Sequence, residues 1–194
     1  RRYIRGMTSR PPDEIIAITE DLPPRFEFII KTFTARYLPV EDRIRLDCVD
    51  VEGAQQSVLI TRRLADKAIP LISIQLEEKI PEGFPKDIAQ DMRQEQARQQ
   101  RNSEGAECPV VPKEKSPEWL CITLQIKKRE QGDFILIFTD DRTINASMGM
   151  TEETFRVVLD ILFDMYTAAD WGAGSFPDWY ERGLTEPKTS IKLN

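Results

Sequence analysis

The chain contains no histidine. That absence removes the commonest general base and the commonest zinc ligand, and it excludes Ser-His-Asp and Cys-His catalysis outright. The nine glycines form neither a Walker-type phosphate loop nor a G-x-G-x-x-G turn, so nucleotide binding of those kinds is excluded as well. Cysteine is scarce: Cys48, Cys108 and Cys121 make an odd number with no close pair. Neither a disulfide framework nor a thiolate metal site is indicated. Cys48 and Cys121 sit in apolar strand patterns and read as buried thiols, and a reducing cytoplasm is their natural setting. No apolar run approaches the ~20 residues that a membrane span needs, and no secretory signal is visible. The net charge of −6 argues against a general affinity for nucleic-acid backbones or anionic membranes. The best basic clusters, Arg62-Arg63 and Lys127-Lys128-Arg129, read as solvated strand ends and first helical turns.

What remains is ordinary for a soluble globular protein: 40% hydrophobic and 31% charged residues over 194 positions. That length suits one domain or two small units fused into one core. The stretch 133–170 organises it. Phe134, Leu136 and Phe138 alternate with Ile135 and Ile137, as in a strand buried on both faces. Asp140-Asp141 reads as a turn, and Thr143 to Met150 as a returning strand. Thr151 is a good helix N-cap, with Glu152 and Glu153 suiting the positive end of the helix dipole. The helix that follows buries Phe155, Val158, Leu159, Leu162 and Tyr166, and its polar stripe is Glu153, Arg156, Asp160, Asp164 and Thr167. Gly172 and Gly174 are expected to close it.

The same pattern occurs ninety positions earlier with no gap. Ile44, Leu46 and Cys48 fall on Phe134, Leu136 and Phe138; Val58 and Ile60 fall on Met148 and Met150; Thr61 falls on Thr151. Ala65, Ala68, Ile69, Ile72 and Leu76 fall on the five core residues of the later helix. Two copies of a strand-strand-strand-helix unit are therefore expected, although residue identities are almost absent. The fold expected is α+β, with antiparallel sheet or sheets built from the two units and a polar helical insertion between them.

The organisation expected is an N-terminal arm over 1–25, a first unit over 26–80, a mobile polar insertion over 81–117, a second unit over 118–170 and an aromatic tail over 171–194. Arg1 to Gly6 reads as a leader, with Met7 the expected natural start. Pro70 lies on the polar side of the first helix, where it should bend rather than abolish it. The insertion holds a Gln- and Arg-rich helix over Pro85 to Asn102 that only Ile88, Met92 and a few alanines could anchor. A helix so polar all round is expected to be solvent-exposed or only partly formed.

Chemistry is left to carboxylates, lysines and thiols. Asp47, Asp50 and Glu52 lie around one hairpin and Asp140 and Asp141 at the matching place in the other; together they could hold Mg²⁺ or Ca²⁺ through oxygen, against the plainer reading that acidic residues populate turns and outward strand faces. No transition metal or other cofactor is expected. In the second helix Val157, Ile161 and Met165 form an extra apolar row at i, i+4, i+8, widened by Phe163, and Leu64, Leu71 and Ile74 do the same in the first. Ile161 is therefore expected to be buried, and the helices to meet a partner subunit, each other or the tail. Phe176, Trp179 and Tyr180 read as a lid over an apolar groove or as a partner-binding peptide. The functional reading is a non-enzymatic protein-binding or assembly module, expected to form a homodimer or to bind a protein partner. The alternatives are a small-ligand-binding domain with a pocket between the halves and, third, a carboxylate-metal hydrolase.

Overall fold

The structure, a computed structural model, describes residues 28–78, 83, 85–103, 109–129, 132–141 and 145–180. The expected N-terminal arm, Phe26, Cys108 and the polar end of the tail lie outside them.

Seven strands and three long helices follow one another as β1 (Phe28–Leu38), β2 (Arg43–Asp50), β3 (Gln55–Thr61), α1 (Arg62–Glu77), α2 (Lys86–Ser103), β4 (Glu118–Leu120), β5 (Thr123–Lys128), β6 (Phe134–Thr139), β7 (Asn145–Met150) and α3 (Glu152–Ala169). Alternation in β2 puts Ile44, Leu46 and Cys48 into the core and Arg45 and Asp47 on the other face. The hairpins match in register at the ninety-residue spacing. Ile44 opposes Ile60 and Leu46 opposes Val58; Phe134 opposes Met150 and Leu136 opposes Met148. Asp50 shapes the first hairpin's turn by accepting from the N–H groups of Glu52 (2.9 Å) and Ala54 (2.8 Å), and Gly53 supplies the positive φ.

The expectation of an antiparallel sheet is corrected. The strands form one seven-stranded mixed sheet in the order β4-β3-β2-β1-β7-β6-β5, with β1 parallel to β7 and β3 parallel to β4. Each half's first strand serves two neighbours. Phe28 and Ile29 pair with Ala146 and Ser147; after a bulge between Ile30 and Thr32 the strand continues along β2. Glu118 to Leu120 pair with β3, and the chain then changes partner within two residues. Cys121 N–H donates to Leu59 O (2.9 Å) and Ile122 N–H to Thr139 O (2.8 Å). The end strands β4 and β5 are thus consecutive in the chain, linked by Cys121 and Ile122. Alternation in a sequence reports which face a residue takes, not the direction of its neighbour, so these parallel joints left no mark in the pattern.

Both long sheet-covering helices start on a threonine cap. Thr61 Oγ1 accepts from Leu64 N–H (3.2 Å) and Thr151 Oγ1 from Thr154 N–H (3.3 Å). Pro70 sits on the exposed side of α1. The end of α3 differs from expectation: Asp170, not a glycine, takes the left-handed conformation and donates its N–H to Tyr166 O and Thr167 O. An aspartate tolerates that conformation better than most residues. Between sheet and helices lies one core, where Phe134 and Phe155 stack with centroids 4.4 Å apart.

Helix α2 is not solvated all round. It buries Gln90, Gln94 and Ala97, while the expected anchors Ile88 and Met92 face outward. Residues 109–117 are fastened across the outer face of the first half: Val110 N–H donates to Thr34 Oγ1 (2.8 Å), Lys113 N–H to Gln55 Oε1 (3.0 Å) and Ser57 N–H to Pro117 O (2.8 Å).

Candidate functional site on the helical face

The carboxylates do not converge. Asp50 is occupied with its own turn, and among the described residues no group of three or more potential ligands is brought together. Asp50 and Glu52 instead line an open hollow of about 540 Å³ with Lys31, Thr32, Val49, Val51 and Gly53. Asp140 and Asp141 are not among its walls.

Between the two halves lies an apolar cavity. Leu46 and Leu136, Ala68 and Val158, and Ile72 and Leu162 line it as pairs ninety residues apart. It leaves about 30 Å³ for the centre of a water-sized sphere. Its walls offer no polar side chain to orient a ligand, so it has the character of a packing void. Ile161 is half-buried rather than buried, and it faces this cavity. Val157 and Met165 are half-buried beside it in sequence, Met165 against the core. The second apolar row of α3 is therefore partly used inside the chain.

The aromatic tail is used there too. Trp171, Phe176, Trp179 and Tyr180 are buried. Phe176 packs edge-on against Phe163 and Tyr166, both at 5.2 Å between centroids, and Trp171 against Tyr166 at 5.1 Å. Their polar tips find partners: Trp171 Nε1 donates to Asp42 (2.8 Å), Trp179 Nε1 to Glu77 (2.9 Å) and Tyr180 O–H to Asp160 (2.8 Å). Phe176, Trp179 and Tyr180 thus cover their own chain.

Among the mostly polar residues that α1 and α2 leave exposed are three large apolar ones. Ile74 is 49% exposed, Ile88 58% and Met92 67%. The two helices are joined where Gln90 Nε2 donates to Leu76 O at 2.9 Å. The other exposed large apolar residues among those described, Ile29, Val40, Val51 and Val111, are scattered over strands, turns and the 109–117 segment, as single surface residues commonly are.

Beneath α2 the contacts are charged. Arg93 meets Glu152 (3.0 Å), Arg98 meets Asp160 (2.7 Å), and Arg101 meets Asp160 (2.7 Å) and Asp164 (2.9 Å). Arg156, Asp160 and Asp164, from the polar stripe read in the sequence of α3, form the seat of this helix. Arg156 is 1% exposed; it donates to Glu152 and Gln90, and Gln94 donates to its backbone carbonyl. Burial lowers the Arg156 pKa, opposed by Glu152. Burial raises that of Asp160, but hydrogen bonds from Arg98, Tyr180 and Arg101 outweigh it and hold the carboxyl below its usual range. The guanidinium of Arg98 also lies 4.6 Å from the Tyr180 ring centre. Complementary arginines on α2 and carboxylates on α3 were the available signal for this docking, but charge alone does not say which stripe meets which.

The two described cysteines are free and buried, and burial pushes each thiol up to about 12. Thiolate is the reactive form, so neither should react in the native protein near neutral pH. Site-resolved mass spectrometry after alkylation should find Cys48 and Cys121 unmodified until denaturant unfolds the chain. Rapid native labelling of either would contradict the packing described.

No protein-family model matches this chain, and no curated protein or solved structure shows significant similarity to it. Function must therefore be argued from these surfaces alone.

Proposed function

We propose that this chain is a non-enzymatic assembly module that self-associates through the outward face of α1 and α2. The observation carrying this reading is the exposure of Ile74, Ile88 and Met92 on two adjoining helices. Fully burying one such side chain is worth roughly 1.5–3 kcal/mol, so a second copy covering all three gains appreciably. This face replaces the residues first expected to form the contact, because Phe176, Trp179 and Tyr180 are spent within the chain and Ile161 turns to the cavity. The free buried thiols suit a reducing cytoplasm. Among the described residues no helix is long and apolar enough to cross a membrane.

Sedimentation velocity tests the reading. The wild type should sediment as a dimer at high micromolar concentration, and Ile88→Asp combined with Met92→Asp should give a folded monomer. Because both side chains already face solvent, the double variant should keep its circular dichroism. A wild type that stays monomeric throughout, or a double variant that still dimerises, refutes self-association through this face.

A further inference from the structure

We infer that α2 is a charge-held latch, a helix that opens from α3 without unfolding of the sheet. Three observations carry this. First, α2 docks with almost no apolar contact: Ala97 is its only buried apolar side chain, and its large apolar residues Ile88 and Met92 point away. Helices held to a core are normally held by an apolar stripe. Second, the ion pairs of α2 to α3 all run one way, beside hydrogen bonds that join Gln90 and Gln94 to Arg156 and Gln90 to Leu76 of α1. Arg93, Arg98 and Arg101 come from α2, and Glu152, Asp160 and Asp164 from α3. Third, the closed interface is imperfect. Of the four buried side-chain polar atoms without a hydrogen-bond partner among the described residues, three lie here: Gln94 Oε1, Arg98 Nη2 and Arg156 Nη1. Opening hydrates all three, which closing forgoes.

Topology permits the motion. Among the described residues every strand pairing of the sheet is made outside α2, so releasing α2 breaks none of them. Opening uncovers the acidic stripe of α3 and the ring of Tyr180, on which Arg98 rests. The latch is thus a sub-global unit with its own opening equilibrium, weaker than the body it rests on.

Native-state hydrogen exchange read by mass spectrometry tests this, at about 1 μM chain so that self-association does not interfere. Peptides from α2 should exchange at least about tenfold faster than those from β2 and β6, and the gap should widen as sodium chloride is raised, since ion pairs are screened. Arg101→Gln, which removes a partly exposed guanidinium, should raise the opening of α2 by about tenfold and leave β2 and β6 unchanged. Exchange of α2 at the rate of the central strands, or an Arg101→Gln effect of equal size in all three, would overturn the latch. Salt-insensitive opening would overturn its electrostatic basis.

Discussion

Phe155→Ala should cost about 3–5 kcal/mol of folding stability, the range typical of a buried aromatic truncated in a core. Phe155 is fully buried one turn into α3 and stacks on fully buried Phe134 with rings 4.4 Å apart and 19° from parallel. It fastens the start of that helix to the strand opposite β7. Truncation loses the transfer energy of the ring and leaves Phe134 facing a hole that a stiff sheet closes poorly. At this chain length each kcal/mol is worth roughly 2–4 °C in Tm, so the variant should melt well below the wild type. Urea unfolding should show a lower midpoint with an unchanged slope, the mark of altered stability rather than altered compactness. The corresponding pair in the first half, Ile44 and Ala65, is also fully buried but small. The second half therefore carries the bulkier core, and a loss below about 1 kcal/mol for Phe155→Ala would mean that α3 is not seated as described.

Much of this body was legible in the sequence, for identifiable reasons. Period-two alternation in Arg43 to Asp50 and the apolar run at Phe134 to Thr139 report faces directly, and Thr61 and Thr151 are chemically marked as caps. The ninety-residue spacing then gave hairpins whose registers coincide. Three features were illegible. The parallel joints β1–β7 and β3–β4 bring together residues far apart in the chain, such as Phe28 with Ala146, and nothing local encodes them. The docking of α2 inverts the usual sign, because amides and arginines go in and Ile88 and Met92 stay out. The burial of Asp47 depends on long side chains and a separate segment, not on its own strand. The acidic residues, weighed in the sequence against a plain turn role, are not gathered into a cluster among the described residues, and Asp50 answers to its own turn. The tail aromatics, marked in the sequence by their clustering, are buried against their own chain.

Asp47 carries the second large effect. It alternates outward on β2, opposite Thr34 of β1 and Ser57 of β3, yet it is 0% exposed. The 109–117 segment, tied to Thr34, Gln55 and Ser57, runs across this face. Arg45 Nε and Ser57 Oγ each donate to the carboxylate at 2.7 Å, and Arg36 is a third donor. Arg45 reaches onward to Glu118 at 2.6 Å, so the network spans β1 to β4. Removing the carboxylate leaves buried Ser57 and half-buried Arg45 without their acceptor, while the exposed Arg36 turns to water, and losing hydrogen bonds to a buried charged group typically costs about 1.5–3 kcal/mol. Asp47→Ala should show that loss at neutral pH. The pH dependence distinguishes this from mere loss of packing. Burial raises the carboxyl's pKa, but the three donors outweigh it and hold it below its ordinary value, whereas the unfolded chain titrates near ~3.9. Between those values the unfolded state binds more protons, so the contribution is complete above about pH 4 and disappears as pH falls through the folded value. The stability gap between wild type and Asp47→Ala should therefore be wide at pH 7 and shrink progressively in acid. A gap that stays constant down to about pH 2 would show that the side chain's volume, not its charge, holds the outer face together.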